Sequence, residues 1–163
     1  MRLSGITPES VVDGPGLRIV IFAQGCPHKC PRCHNPESWD LGAGAEFSVR
    51  QVIRLLKRRK KNIRGVTFSG GEPFLQAAEF AQAAQAARLA GFDIVTYTGF
   101  SYEYLAGSAD DGIKALLSAT DILIDGKYVH ELREPGLRFR GSSNQRVIDL
   151  AASRKCEKVV LCG

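Results

Sequence analysis

Three cysteines in one short stretch are the residues of this chain most suited to chemistry. Cys26, Cys30 and Cys33 lie within eight residues, separated by three residues and then by two. A loop this short brings its thiols to one small object, and it is too crowded for good disulfide geometry. The spacing leaves two objects open. A structural zinc ion would take a fourth ligand from His28 or His34, whereas a four-iron cluster held by three thiolates would keep one iron open.

A second distinctive segment, Ser69–Pro73, reads Ser-Gly-Gly-Glu-Pro and follows a short apolar run. Gly70 and Gly71 remove side chains where something must approach the backbone closely. The carboxylate of Glu72 can hold a ligand ammonium through a charge-assisted hydrogen bond. A structural zinc site needs neither feature. A cluster with an open iron beside a site for an amino acid has a natural occupant in S-adenosylmethionine, whose amino and carboxylate groups can fill that iron.

The composition is that of an ordinary globular protein, with 163 residues, 44% of them hydrophobic and 24% charged. This length predicts a single domain over residues 1–163. No apolar run is long enough to cross a membrane, and the N-terminus lacks the apolar segment of a signal peptide. We therefore expect a cytoplasmic protein, in which clustered thiols indicate metal binding or catalysis more often than disulfides.

The formal net charge of +5 raises the question of nucleic acid, because much of it lies in residues 57–61. No aromatic side chains interleave with these cations, so the run favours the solvated end of a helix, where cations suit the helix dipole, over a nucleic-acid site. A docking surface for an acidic protein is a third interpretation. We expect neither nucleic acid nor a membrane among the partners.

Strand and helix patterns alternate along the chain. Short apolar and β-branched runs predict strands at residues 17–22, 66–68, 92–97, 122–124 and 159–161. Capping and helical spacing predict helices starting at Ser48 and over residues 75–90, 113–117 and 144–152. This alternation is typical of an α/β fold with a parallel sheet and right-handed crossovers. About five or six βα units are too few for a closed eightfold barrel, so the sequence predicts a partial, open parallel β/α barrel.

Four predicted strands end in a chemically distinctive loop. These loops are the cysteine loop, the Gly-Gly-Glu loop, residues 97–99 (Tyr-Thr-Gly) and residues 125–127 (Asp-Gly-Lys). Parallel strands bring such loops to one rim, where ligands of these folds bind. Asp13, Thr98 and Asp125 should face the rim, either as site residues or as turn and capping residues.

These motifs resemble a known superfamily. The spacing Cys26-x-x-x-Cys30-x-x-Cys33 together with Ser69–Pro73 resembles the radical S-adenosylmethionine superfamily. Residues 12–18 (VDGPGLR) and 33–39 (CHNPESW) are similar to its glycyl-radical activating enzymes. Residues 97–99, 123–126 and above all 140–146 (RGSSNQR) are similar to one subgroup, the activators of anaerobic ribonucleoside-triphosphate reductase. The resemblance covers roughly residues 11–150.

The resemblance implies a role for each matching residue. The ligands of a [4Fe–4S] cluster would be Cys26, Cys30 and Cys33. The methionine end of S-adenosylmethionine would be held by Gly70, Gly71 and Glu72. The adenine would lie against Arg32, Cys33 and His34. One departure from the superfamily is Arg32, because many members carry an aromatic residue there; the planar guanidinium can also stack on a base.

The resemblance further implies an enzyme that works without oxygen. The reduced cluster would donate an electron to S-adenosylmethionine, giving methionine and a 5′-deoxyadenosyl radical. This radical would take a hydrogen from a glycine α-carbon on the large subunit of anaerobic ribonucleoside-triphosphate reductase. A low-potential donor such as flavodoxin or ferredoxin would supply the electron. Two alternatives are an activase of a pyruvate formate-lyase-like enzyme and a non-catalytic zinc-binding interaction module, against which the Gly-Gly-Glu loop argues.

Two further segments have weaker signals. Residues 140–146 are compatible with a turn leading to a helix capped by Ser143 or Asn144, and the resemblance indicates a position near the site or the partner. Cys156 and Cys162 supply too few ligands for a second cluster, so we interpret them as ordinary thiols.

Overall fold

A computed structural model describes residues 1–58 and 62–162. The strands in this part of the chain are β1 (Arg2–Ser10), β2 (Arg18–Ala23), β3 (Ala45–Glu46), β4 (Gly65–Gly70), β5 (Asp93–Tyr97), β6 (Ile122–Asp125) and β7 (Arg146–Asp149). The α-helices are α1 (Val49–Arg58), α2 (Ala77–Leu89), α3 (Tyr102–Ala106), α4 (Asp111–Ala119) and α5 (Leu150–Cys156). Short 3-10 turns span Pro36–Ser38, Pro73–Gln76 and His130–Leu132. None of the helices described is both long and apolar enough to cross a membrane.

The strands form one mixed sheet in the order β3-β1-β2-β4-β5-β6-β7. The four central strands, β2, β4, β5 and β6, are parallel, with Ile19 paired to Val66 and Val66 paired to Ile94. The outer strands β1, β3 and β7 run antiparallel to their neighbours, and β3 and β7 form the two edges of the sheet. The predicted α/β class with a parallel sheet is therefore confirmed at the centre, with four parallel strands instead of five or six units.

The helices that connect the central strands lie on one face of the sheet, because β2, β4, β5 and β6 follow in chain order and right-handed crossovers all turn the same way. The alanine-rich α2 packs between α1 and α4. Its buried alanines, among them Ala83 and Ala84, let these neighbours approach closely. Phe80 of α2 packs edge-on against Phe68 of β4, with ring centroids 5.0 Å apart.

The structure differs from the prediction at both ends of the sheet. β1 was not predicted, because its apolar residues are isolated and of them only Leu3 is buried. The predicted helix 144–152 is wrong in its first half, which forms β7. Asp149 caps α5 by accepting a hydrogen bond from the Ala152 N–H at 2.8 Å, so the helix starts only at Leu150. The predicted strand 159–161 is reduced to a single bridge between Leu161 and Ile148.

Helix α1 begins as predicted and ends away from the strands' carboxyl ends. Ser48 and Gln51 form the reciprocal capping box, with the Gln51 side chain accepting the Ser48 N–H at 2.7 Å. α1 leads to the start of β4. Its last turn, with Lys57 and Arg58, therefore lies near the amino ends of the parallel strands, away from their carboxyl ends. The rest of the predicted basic run, residues 59–61, lies outside the described residues.

Candidate functional site

A cavity of about 480 Å³ lies at the carboxyl ends of the parallel strands. All four predicted loops contribute to its wall, with Cys26, Cys30 and Cys33 after β2, Gly70 and Gly71 at the end of β4, Thr98 and Gly99 after β5, and Gly126 after β6. The parallel register places these strand ends side by side. The predicted convergence on one rim is therefore confirmed.

The three clustered cysteines are half-buried, and all of them line the cavity. The loop turns sharply enough that Lys29 and Arg32 adopt left-handed backbone angles, with φ of 46° and 56°. Burial raises the pKa of the Cys26 and Cys30 thiols, so in the absence of metal both are protonated at neutral pH. Binding a metal centre through these sulfurs would therefore release protons.

The donor set fits a cluster better than a single ion. Among the described residues, no group of three His, Cys, Asp or Glu side chains is arranged to hold one metal ion. A four-iron cluster attaches each thiolate to a different iron, so its ligands need not surround one point. The Asn35 N–H donates to the Cys33 sulfur at 3.4 Å, and hydrogen bonds of this kind tune the potential of a bound cluster.

At both glycines of the Gly-Gly-Glu loop, the end of β2 and the residues after it leave no room for a side chain. Gly70 has φ of +89°, and a Cβ on Gly71 would lie 2.3 Å from the Gly25 carbonyl oxygen. The Gly71 N–H donates to the Ala23 carbonyl, and the Glu72 N–H donates to the Gly25 carbonyl, each at 2.8 Å. This close packing joins the loop to the start of the cysteine loop and leaves bare backbone on the cavity wall.

Glu72 is fully buried, and protein groups occupy both of its carboxylate oxygens. Oε1 accepts the Phe74 N–H at 3.0 Å, and Oε2 accepts the Gly99 N–H at 2.8 Å. The Thr98 hydroxyl lies 3.0 Å from both oxygens, and His28 Nε2 lies 3.0 Å from Oε2. The predicted contact between Glu72 and a ligand ammonium stays a prediction, since all these hydrogen bonds are made within the protein.

The residues expected against an adenine are separated in the structure. His34 lines the cavity, whereas Arg32 is exposed and donates to Nε2 of His130 at 2.7 Å. The cavity gains an aromatic ring from Tyr128, whose centroid lies 4.8 Å from that of His34 and whose hydroxyl bonds His130 Nδ1 at 3.0 Å. Sequence reasoning missed Tyr128, although it closely follows the Asp-Gly-Lys loop, where an aromatic residue could have been noticed.

The motif at residues 140–146 folds onto the loop after β6. Gln145 Oε1 accepts the N–H groups of Gly141 and Ser142, at 2.8 and 3.2 Å, and its Nε2 donates to the Gly126 carbonyl at 2.9 Å. Arg140, Gly141 and Gln145 line the cavity. The expected position near the site is confirmed, whereas the cap predicted at residues 143–144 is wrong, because α5 is capped by Asp149.

The last residue of that motif, Arg146, forms an ion pair inside the fold. Asp125 is buried and binds Arg146 through both carboxylate oxygens, with one bond at 3.0 Å from Nε and a second from Nη2. Arg146 also pairs with Glu103 at 2.8 Å, which lowers the pKa of that carboxyl. Asp125 further accepts the N–H of Tyr102, the first residue of α3, at 2.7 Å, whereas Ser101 is the N-cap of that helix.

Two further candidates, Asp13 and Thr98, lie in the cavity wall. Asp13 lines the cavity and accepts a hydrogen bond from Ser10 at 2.5 Å. Thr98 lines it as well, with its hydroxyl on Glu72. Cys156 and Cys162 are exposed and do not contribute to this cavity, and all five cysteines are free of disulfides.

Comparison with known proteins agrees with this site. Residues 12–148 match the family model described as a 4Fe-4S single cluster domain. The chain is 37% identical to a protein of Vibrio cholerae over 85% of its own length and 91% of the relative's. It is 33% identical to one of Escherichia coli K12 over 86% and 93%, and 35% identical to one of Enterobacteria phage T4 over 90% and 93%. All three relatives are named anaerobic ribonucleoside-triphosphate reductase-activating protein.

The fold and the family match define a protein with a single [4Fe–4S] cluster domain. Within that class, the sequence identity to the three relatives and the share of each chain that is matched identify the family. The chain belongs to the family of anaerobic ribonucleoside-triphosphate reductase-activating proteins.

Proposed function

We propose that this chain is a radical S-adenosylmethionine enzyme that activates an anaerobic ribonucleoside-triphosphate reductase by forming a glycyl radical on its large subunit. The observation that carries the proposal is that the three thiols and the bare Gly70–Gly71 backbone line the same cavity. The names of the relatives support this choice of partner over a formate-lyase-like enzyme.

The proposal assigns the cluster to Cys26, Cys30 and Cys33. When bound, the cluster and S-adenosylmethionine supply a radical able to remove hydrogen from a glycine α-carbon. The chain's own residues bind and orient these groups. The cysteine loop holds the cluster at the cavity wall, and the Gly70–Gly71 backbone lets the amino-acid end of the cofactor approach closely because no side chain lies in the way.

We assign the nucleoside end of the cofactor to the part of the cavity wall formed by His34, Tyr128 and Gly141. His34 and Tyr128 present their rings there, and aromatic rings suit a purine base. Gly141 lies against both rings, since a Cβ at this position would be 2.9 Å from Tyr128 and 3.4 Å from His34. Arg32 supports this wall from behind through His130, in place of the direct stacking expected from the sequence.

We further propose a fold type, a compartment and an electron donor for this chain. The four parallel strands form a partial β/α barrel of the radical S-adenosylmethionine type within one domain over residues 1–163. The enzyme acts in the cytoplasm and receives its electron from a low-potential donor such as flavodoxin or ferredoxin. Neither nucleic acid nor a membrane is a partner.

The test is activation of the reductase from the same organism. We expect the protein, a strong reductant and S-adenosylmethionine, mixed anaerobically with that reductase, to produce a glycyl doublet in electron paramagnetic resonance and to start nucleotide reduction. Omission of S-adenosylmethionine, or alanine in place of the reductase's radical glycine, should remove the doublet. A doublet on a formate-lyase-type enzyme and none on the reductase would contradict the assignment of the partner.

A further inference from the structure

One buried carboxylate connects three of the loops at the rim. Glu72 belongs to the Gly-Gly-Glu loop, and it accepts hydrogen bonds from Thr98 and Gly99 of the loop after β5. Glu72 is also hydrogen-bonded to His28, in the cysteine loop. Because Glu72 is fully buried, these hydrogen bonds are shielded from competition with water. The carboxylate therefore fixes the relative positions of the three loops.

His28 is held in one orientation from several sides. Its side chain is 7% exposed, and Nε2 lies 3.0 Å from Oε2 of Glu72. A carboxylate can only accept, so Nε2 carries the hydrogen of this bond. The Phe100 ring packs edge-on at 4.5 Å between centroids. Gly99 lies directly against the imidazole, since a Cβ there would be 2.2 Å from its Cδ2.

The hydrogen bond between His28 and Glu72 bears on the cluster because of where His28 lies in the chain. His28 lies between Cys26 and Cys30, so any shift of its backbone moves the thiols on both sides. Glu72 follows directly on Gly71, whose backbone lines the cavity. The hydrogen bond between His28 and Glu72 therefore connects the segment that holds the cluster to the segment that holds the amino-acid end of the cofactor.

We propose that His28 is a positioning residue, which acts through Glu72 to set the distance between the cluster and the Gly70–Gly71 backbone. The inference rests on the proposed function, because it is S-adenosylmethionine that has to reach both. His28 also lines the cavity, but the role proposed here is exerted through its hydrogen bond to Glu72. Without it, the three thiols still bind the cluster, but the two attachment points lose their fixed spacing.

The first test measures binding of S-adenosylmethionine to the cluster-loaded protein by anaerobic calorimetry. We expect His28→Ala to keep about four irons per chain and to bind S-adenosylmethionine about tenfold more weakly, the factor typical of losing one hydrogen bond to a charged group. His28→Gln should restore most of the affinity, because its amide can donate to Glu72 from a similar position. The matched control is Lys29→Asn, an exposed change in the same loop that tolerates the left-handed backbone, and it should bind within about twofold of wild type.

The second test is hydrogen–deuterium exchange of the same loaded proteins without S-adenosylmethionine. His28→Ala should speed exchange in peptides covering residues 98–99, because the Gly99 N–H donates to the carboxylate that loses its histidine partner. Lys29→Asn should leave those peptides unchanged. Unchanged exchange in His28→Ala would overturn the structural link.

The two tests separate the failure of this inference from that of the proposed function. If wild type itself does not bind S-adenosylmethionine, the proposed function is wrong and the positioning role falls with it. If wild type binds and His28→Ala binds equally well, the positioning role alone is overturned. Weaker binding in His28→Ala with no recovery in His28→Gln would also overturn it, because the hydrogen bond would not be the cause.

Discussion

Replacing Cys26, Cys30 or Cys33 by alanine is expected to abolish the iron–sulfur cluster. Each thiolate binds one iron, and three are already one fewer than the usual complement of four cysteine ligands. A chain with two remaining thiols cannot retain the cluster. Wild-type protein purified without oxygen should be brown, with about four irons and matching sulfide per chain. Each single variant should be colourless and nearly free of iron.

Cys156→Ala and Cys162→Ala serve as matched controls, since both remove an exposed thiol that lies away from the cavity. Both should keep the full iron and sulfide content of the wild type. Iron and sulfide analysis of all five variants therefore distinguishes the cysteines that bind the cluster from those that do not. Colourless wild-type protein with stoichiometric zinc would contradict the cluster and support a zinc-binding module.

Replacing Arg146 by alanine is expected to lower the free energy of unfolding by about 3 kcal/mol. The change leaves Asp125, which is only 2% exposed, without its charged partner. The expected loss lies at the lower end of the range for a broken buried pair, because the Arg146 side chain is itself 34% exposed and partly screened by water. Urea denaturation followed by circular dichroism measures this difference.

Arg133→Ala is the matched control for this prediction, because it removes an exposed arginine from a loop. Its free energy of unfolding should stay within about 0.5 kcal/mol of wild type. Arg146→Lys should recover only part of the loss, since an ammonium cannot reproduce the two-point contact with Asp125. An Arg146→Ala protein as stable as wild type would show that the ion pair does not stabilise the fold.

The sequence predicted the parts of the fold that depend on local pattern. Apolar runs of central strands such as β2 are buried on both faces, so they read clearly as strands. The start of α1 was readable because Ser48 and Gln51 cap it through their own side chains. β1 and β7 were not predicted because these two outer strands are only partly buried, and their pairing depends on contacts with other strands.

The site was predictable in position but not in its internal contacts. Parallel topology was enough to bring the four loops to one rim. It could not reveal that Arg32 turns to His130, because these residues are 98 positions apart and meet only in the folded chain. The same holds for Glu72, whose charge suggested a ligand contact, whereas burial gives it bonds to His28 and Gly99.

The left-handed backbone at Lys29 and Arg32 has a practical consequence for handling the protein. Both residues are exposed, and both are cleavage points for trypsin, which needs an extended segment in its active site. Cysteines bound to a cluster would hold these residues in the left-handed backbone conformation. Loss of the cluster would allow this segment to become extended. Brief trypsin digestion should therefore cut the chain near residues 29–32 only in the fraction that has lost its iron. A gel would then report how much of a preparation is intact, without any spectroscopy.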